Sequence, residues 1–279
     1  MHFQFGLVGY PLEHSLSPKI HNAAFKACGL QGGYSLFPIH KDDKHGLKDL
    51  LTRVRSGEIH GLNVTIPHKQ NIIEYMDELT PVANAISAVN TIYLREGKLV
   101  GDNTDASGFL SDLKRHIGNW ELGAGKSVLI LGAGGSARAV VYALADHGWI
   151  ITITSRRLEQ AQELAAQFKN AKTIELNFQT FQPSNVQLIV NTTPVGMAPN
   201  VDRSPLPGNL SLPSNAFVYD LVYNPGETKL VRDARTQGLS ATTGLGMLIE
   251  QAALSFEIWT GCIPPRDVLF EAVRATRPD

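Results

Sequence analysis

Apolar and polar positions take turns along the 279-residue chain in two periods, one of two residues and one of about 3.6. The pattern predicts strands near 3–9, 33–39 and 61–66, separated by helices near 18–28 and 43–55. In the second helix Leu47, Leu50, Leu51 and Val54 recur on one face, a spacing that core packing accounts for. This βαβ rhythm implies a mainly parallel sheet. Two polar, glycine-bearing breaks follow, REGKLVGDNT at about 95–104 and WELGAGK at 120–126, and one of them is expected to mark a domain boundary. The rhythm then restarts with SVLIL, a helix near 136–147, the strand IITIT, a helix near 158–168, and the runs QLIVN and AFVYDLV. A last strong helix spans 245–260, where Leu245, Leu248, Ile249, Ala252, Phe256 and Trp259 form an apolar stripe with Gln251 at its border. The length also favours two domains over one.

Two segments break the apolar pattern with chemistry. In NVTIPHK, residues 63–69, alternation sends Leu62, Val64 and Ile66 to one face and Asn63 and Thr65 to the other. A polar face therefore leads straight to Lys69. In GYPLEHSLSPKIHN, residues 9–22, Pro18 pushes Ser17 toward an extended backbone. With Ser15 extended too, both hydroxyls would share one side and Leu16 the other. Ser17 also fits as N-cap with Pro18 at N1, which explains Ser17 and leaves Ser15 over.

The stretch SVLILGAGGSARAVVYALADHG is the most legible. An apolar strand runs into Gly132, Gly134 and Ala137 at G-x-G-x-x-A spacing, and Val140, Val141, Leu144 and Ala145 continue a buried helix face. That context is the one a dinucleotide fingerprint requires. Gly132 permits the tight turn, Gly134 lets a pyrophosphate approach the backbone, and Ala137 lets helix and strand pack closely. Amides of Gly132, Ala133, Gly134, Gly135 and Ser136 are the candidate phosphate donors. At the end of the next strand, where an acid would bind the ribose of NAD, the chain carries Ser155, Arg156 and Arg157, with no carboxylate before Glu159. Guanidiniums there suit the 2′-phosphate of NADP.

A net charge of −1 provides no basic field for nucleic acid or anionic membrane, and no run approaches a membrane span, so a small-molecule partner is expected. The N-terminal residues lack a cationic signal-peptide start, which makes the cytoplasm the expected location. The nine histidines show no metal-ligand spacing, and no metal is expected. Cys28 and Cys262, far apart in sequence, read as structural thiols.

Four ordered motifs carry a family resemblance: G-x-P-x-x-H-S-x-S-P-x-x-H-N at 9–22, N-V-T-x-P-x-K at 63–69, A-V-N-T at 88–91 and G-D-N-T-D at 101–105. With GAGGSA and the late G-L-G-M-L-I-E-Q-A at 244–252, the chain resembles shikimate dehydrogenase over nearly its whole length. The resemblance implies two α/β domains with a cleft between them: a substrate domain over 1–103 and 240–279, and a Rossmann-type NADP domain over 104–239. It implies reversible reduction of 3-dehydroshikimate to shikimate by NADPH, in aromatic amino acid and chorismate biosynthesis, by a monomer or homodimer. Motif by motif, it carries over Ser15, Ser17, Thr65, Lys69, Asn90, Asp105, Tyr223 and Gln251 as substrate contacts. The glycine loop, Ser155 to Arg157, Leu221 and Gly244 are carried over to the cofactor. The family commonly has Asn-Arg-Thr where this chain has Ser155-Arg156-Arg157, so the arginine remains and gains a neighbour.

The resemblance gives the polar residues tasks. Ser15 and Ser17, with Tyr223, would hold the substrate carboxylate, while Thr65, Asn90, Gln251, Lys69 and Asp105 would read its hydroxyls. Moving a proton to or from the reacting oxygen needs an ionisable group in reach, and Lys69 is the candidate, as proton shuttle or fixed cation, oriented by Asp105. Helix N-capping is the structural alternative for Asp105. Rival readings are a quinate-type relative using NAD, a non-catalytic sensor of NADP and a cyclohexene acid, and a methyltransferase with a glycine loop.

Overall fold

The computed structural model describes residues 2–117, 125–175 and 185–274, and the chain divides into two units, Met1–Gly108 with Leu248–Asp279, and Phe109–Met247. In the first unit the predicted rhythm appears as β1 (His2–Gly9), α1 (Ser17–Ala27), β2 (Gln31–Pro38), α2 (Lys44–Arg55) and β3 (Gly61–Val64). The two-residue β4 (Glu78–Leu79), α3 (Pro81–Ile86), β5 (Thr91–Arg95) and β6 (Lys98–Asp102) follow. The strands order as β2-β1-β3-β5-β6-β4. β1 runs parallel to β2 and β3, whereas β5 is antiparallel to both β3 and β6. The sheet is therefore mixed.

The segment 95–104 is not a break: it holds β6, the second arm of a hairpin. Only Glu96 and Gly97 turn, both at positive φ (52° and 77°), the conformation that two-residue hairpin loops require. A run of turn-forming residues can equally be a short strand once a partner supplies its hydrogen bonds. Most of 120–126 lies outside the described residues.

One face of this sheet buries Val8, Leu62, Val64 and Ile92 against the predicted stripe of α2, Leu47, Leu50, Leu51 and Val54. The strand β3 ends at Val64, short of the expected residue 66, and Ile66 is 57% exposed. Alternation holds for Leu62, Asn63 and Val64, but the face that carries Asn63 is buried as well.

The second unit begins inside α4 (Asp105–Ile117) and continues with β7 (Ser127–Leu131), α5 (Gly135–Asp146), β8 (Ile150–Thr154), α6 (Leu158–Ala165) and β9 (Ala171–Thr173). Then come β10 (Leu188–Asn191), β11 (Phe217–Asp220), α7 (Lys229–Thr236) and β12 (Ser240–Thr243). All pairings are parallel, in the order β12-β11-β10-β7-β8-β9. The first two strands formed, β7 and β8, lead outward to β9, and the chain then crosses back to β10, so β7 and β10 flank the point where the winding reverses. This is the doubly wound arrangement of dinucleotide-binding sheets. Four of the five β7 residues are buried, the continuous apolar run of a strand covered on both faces.

The chain leaves the second unit within α8 (Leu245–Thr260) and ends its described part with α9 (Arg266–Arg274), both packing from residue 248 onward as part of the first unit. There Phe256 and Trp259 join Phe5, Phe25 and His21 in an aromatic cluster, with His21 stacked on Tyr34 at 4.2 Å and 4°. Cys28 and Cys262 are not free thiols but a disulfide between the end of α1 and the segment joining α8 to α9, their Cα atoms 6.4 Å apart. A separation of 234 residues in sequence says nothing about separation in space once α1 and α9 pack together.

The buried His21 carries an acid liability. Burial holds its imidazole down to about 3 from an ordinary 6.5, opposed by the neighbouring Asn63 amide. A folded-state value below the unfolded one means that stability is intact above pH 6.5 and drains away as pH falls toward 3, by up to about 5 kcal/mol. His21→Phe, which keeps an aromatic ring in the cluster, should flatten urea-unfolding stability against pH in that window. An unchanged slope would show that His21 titrates freely.

Candidate active site

Three chain segments leave the mixed sheet at one end. β1, β3 and β6 all run the same way, so their exits at Gly9, Val64 and Asp102 lie together with the entry to β5 just after Asn90. Ligands of open α/β sheets bind outside such strand exits. After β3 the backbone turns, with the His68 amide donating to the Thr65 carbonyl at 2.9 Å, and the Lys69 carbonyl accepts from the Val89 amide at 2.7 Å. The buried His68 ring meets the Ile39 carbonyl at 2.7 Å. The backbone at Lys69 is thereby held from both sides.

Its ammonium donates to Oδ2 of Asp105 at 2.6 Å, with only 12% and 5% of the two side chains exposed. Asp105 opens α4, where a carboxylate is favoured by the helix dipole. The carboxylate turns to side chains and not to the helix amides that a cap would serve, and the Asp105 amide itself donates to Asn103 Oδ1 at 3.0 Å. Its Oδ1 instead accepts from Asn90 Nδ2 at 2.9 Å, and Gln251 Oε1 lies 3.3 Å from the same nitrogen. Four residues from four parts of the sequence thus form one polar group: Lys69, Asp105, Asn90 and Gln251. The position of Gln251 is fixed by its own Nε2, which donates to the Leu248 carbonyl at 2.8 Å.

Ser15, Ser17 and Thr65 stand at the same sheet end without side-chain bonds to this group. Thr65 follows the β3 exit, and its methyl would be struck by a Cβ at Gly9, so the β1 and β3 exits run side by side. The expected pairing of Ser15 and Ser17 along an extended chain does not occur. Leu16 between them is helical (φ −84°, ψ −8°), α1 starts at Ser17, and Ser15 Oγ accepts from the Ser17 amide at 3.3 Å. The capping-type bond is therefore made by Ser15, while Ser17 is buried.

The second unit offers a different chemistry. Gly132 closes the turn after β7 at φ +111°, in the left-handed region, with Thr192 of the loop after β10 filling the space where a side chain would stand. Gly134 at the start of α5 faces open space, and no side chain caps that helix. Free amides beside an open backbone fit a phosphate. Ala137 is fully buried, as close helix packing demands. After β8, Ser155 Oγ accepts from the Arg157 amide at 3.3 Å, and Arg156 and Arg157 are exposed with no ion-pair partner among the described residues. This donor set fits a dinucleotide carrying an extra phosphate. Leu221, Tyr223 and Gly244 also lie in this unit: the Leu221 amide donates to the Asn191 carbonyl, and a Cβ at Gly244 would overlap the Leu221 carbonyl. Burial pushes the Tyr223 phenol up from its ordinary value.

Three family descriptions match in chain order: a shikimate dehydrogenase substrate-binding domain over residues 7–92, shikimate/quinate 5-dehydrogenase over 114–193, and a shikimate 5′-dehydrogenase C-terminal domain over 244–274. A relative in Shouchella clausii, shikimate dehydrogenase (NADP(+)), is 40% identical over 97% of this chain and 98% of its own. The chain belongs to the shikimate dehydrogenase family. A shikimate dehydrogenase solved with NADP+ superposes with a TM-score of 0.89 at 37% identity, covering 100% of this chain and 96% of the other. The Thermus thermophilus enzyme, solved with NADP(H) and shikimate, gives 0.86 at 37% identity, covering 98% and 99%.

Several polar residues of this family member went unread in the sequence. Thr91, Thr104 and Ser255 are buried around Asn90, and Asn191 and Asp220 are buried at the ends of β10 and β11. Their signal was faint: Ser255 lies one helical turn beyond Gln251, and Asn191 and Asp220 are single polar residues closing apolar runs. Asp220 ties two loops together, accepting from Asn191 Nδ2 at 2.8 Å, the Val222 amide at 3.0 Å and Thr228 Oγ1 at 2.7 Å. Burial nevertheless outweighs these bonds and pushes its carboxyl up to about 6 from 3.8. A raised folded-state value means that the stability gained by protonation is full below pH 3.8 and lost as pH rises through about 6, roughly 3 kcal/mol in all. Compared with Asp220→Asn, the unsubstituted chain should gain that much between pH 7 and pH 4 in urea unfolding; parallel curves would contradict it.

Proposed function

We propose that the chain catalyses reversible reduction of 3-dehydroshikimate to shikimate with NADPH, and that Lys69 and Asp105 handle the proton. The observation that carries the residue assignment is the 2.6 Å contact between the Lys69 ammonium and the Asp105 carboxylate, at the sheet end where three strands exit. Bound NADPH supplies the hydride. As a ketone is reduced its oxygen gathers negative charge, and a cation with protons to give is what stabilises and neutralises it. Lys69 has three N–H donors and spends one on Asp105, leaving others for the substrate oxygen. Asp105 orients the ammonium and can accept from a ring hydroxyl.

Asn90 and Gln251 read further hydroxyls, and Thr65 stands at the same sheet end. Ser15 and Ser17 supply short hydroxyl donors for the carboxylate, and Tyr223 is assigned to it by family resemblance. The substrate domain is then the first unit and the NADP domain the second. On the cofactor side the Gly132 amide is spent on the Thr154 carbonyl at 2.8 Å, so the loop from Gly132 to Ala137 holds the pyrophosphate with the amides that follow, Ser155, Arg156 and Arg157 hold the adenosine end, and Leu221 and Gly244 the remainder. The reading includes a cytoplasmic enzyme acting as monomer or homodimer; no helix among the described residues is long and apolar enough to cross a membrane.

An absorbance assay at the NADPH band with shikimate and NADP tests the reaction, with quinate and NAD as controls. In that assay Lys69→Ala should lower kcat by roughly 10²–10⁴-fold with little change in KM for shikimate. An effect on KM alone would make Lys69 a binding residue. Replacing both Arg156 and Arg157 by Ala should weaken NADP binding about 10–100-fold, read by quenching of NADPH fluorescence, and leave NAD binding unchanged. Equal losses for the two cofactors would dissociate these arginines from the 2′-phosphate.

A further inference from the structure

Behind Asn90 lies a cluster of buried polar groups to which no task has yet been given. Tyr34, Asn63, Thr91, Thr104 and Ser255 are all at most 8% exposed, and each has a polar atom within hydrogen-bond distance of the next. At most steps the donor is fixed by groups that can act in one sense only. The Thr104 backbone N–H lies 2.8 Å from Asn90 Oδ1 and can only donate, so the Asn90 carboxamide must present its oxygen there and its nitrogen to Asp105. Thr91 Oγ1, 2.9 Å from the same oxygen, must then donate to it. Ser255 Oγ lies 2.8 Å from Thr91 Oγ1, a contact in which either hydroxyl can donate, since the one proton of Ser255 is also within reach of the Gln251 carbonyl at 3.0 Å. The Asn90 carbonyl, which can only accept, takes one proton of Asn63 Nδ2 at 3.3 Å. That fixes the second carboxamide as well, and Asn63 Nδ2 gives its other proton to Ser255 Oγ at 2.9 Å. Tyr34 completes the series by donating to Asn63 Oδ1 at 2.8 Å.

The contacts therefore run without a gap from Tyr34 through Asn63, Ser255, Thr91 and Asn90 to the Asp105 carboxylate, which Lys69 meets from the other side. In a buried chain of this kind each bond polarises the next, and removing a middle member leaves two buried groups short of a partner. Ser255 is that middle member, the sole hydroxyl touching both Asn63 and Thr91 at under 3 Å among the described residues. It reaches the sheet because α8 packs on the face opposite α2, one turn beyond Gln251, and it also lies 3.0 Å from the Gln251 carbonyl.

We propose that Ser255 is a positioning residue for the reaction: acting through Thr91, it holds the Asn90 carboxamide in the one orientation that presents its N–H groups to Asp105 and to Thr104 Oγ1 beside it. This rests on the function proposed above for Asn90 and Asp105. Nothing about Ser255 touches substrate; its effect is on where Asn90 points. A serine that merely filled space would contribute to stability alone.

The experiment is a double-mutant cycle between Ser255→Ala and Thr91→Val, the latter keeping the side-chain shape without the hydroxyl. Ser255→Ala should lower kcat/KM for shikimate about tenfold while KM for NADP stays within about twofold. On the Thr91→Val background the same substitution should have less effect, because the shorter of its two paths to Asn90, through Thr91 and not Thr104, is already cut. In the ligand-free protein, the side-chain NH2 resonances of Asn90 should shift in both single variants, a readout independent of any turnover. A lower Tm with unchanged kcat/KM and unchanged Asn90 resonances would overturn the proposal, as would fully additive effects on kcat/KM. Should the unsubstituted chain not oxidise shikimate, the assigned function falls, while the resonances alone still decide whether Ser255 orients Asn90.

Discussion

An ammonium and a carboxylate drawn out of water are tolerable only if every remaining donor and acceptor finds a partner, and that condition governs the end of the first sheet. Lys69 and Asp105 meet at 2.6 Å with little of either exposed. The second oxygen of Asp105 must also be satisfied, and Asn90 does so. Asn90 in turn must be satisfied, which draws in Thr91 and Thr104, and through them α8. Each layer exists because the one before it is buried. The outcome is a cation whose place is set to within a hydrogen bond, as chemistry on a substrate oxygen requires.

The dinucleotide-type unit solves a different problem. Its loops must leave backbone amides open for a phosphate yet keep a fixed shape. Gly134 supplies the openness and Gly132 the turn; rigidity comes from beneath, where the buried Asn191 and Asp220 bind the loops after β10 and β11. Holding a carboxylate in that place runs against its solvation, as its raised titration shows. The unit accepts this local cost for loops that stay where the strands end.

Much of this architecture was legible in the sequence, for identifiable reasons. α2 and α5 carry one-face apolar stripes, and β7 is a continuous apolar run followed by a glycine fingerprint, so local pattern and final structure agree. Lys69 stood out as a cation beside a strand end, and Asp105 through the family motif G-D-N-T-D. The β5–β6 hairpin was hidden, because REGKLVGDNT reads as turn-forming until β5 offers it a partner. Ser15 and Ser17 were expected to alternate along an extended chain, whereas α1 begins early and bends Leu16 into helical backbone.

The sequence by itself determined the order of elements, the glycine turn for a phosphate, the arginines after β8 and the family to which the chain belongs, because each is written in neighbouring residues or fixed spacings. Only the tertiary structure decided that Lys69, Asp105, Asn90 and Gln251 are one group, that Ser255 stands behind them, and that Cys28 meets Cys262. Those facts depend on strand order and helix packing, which bring together residues up to 234 positions apart. Periodicity reports which face of an element is buried; it carries no record of what that face is buried against.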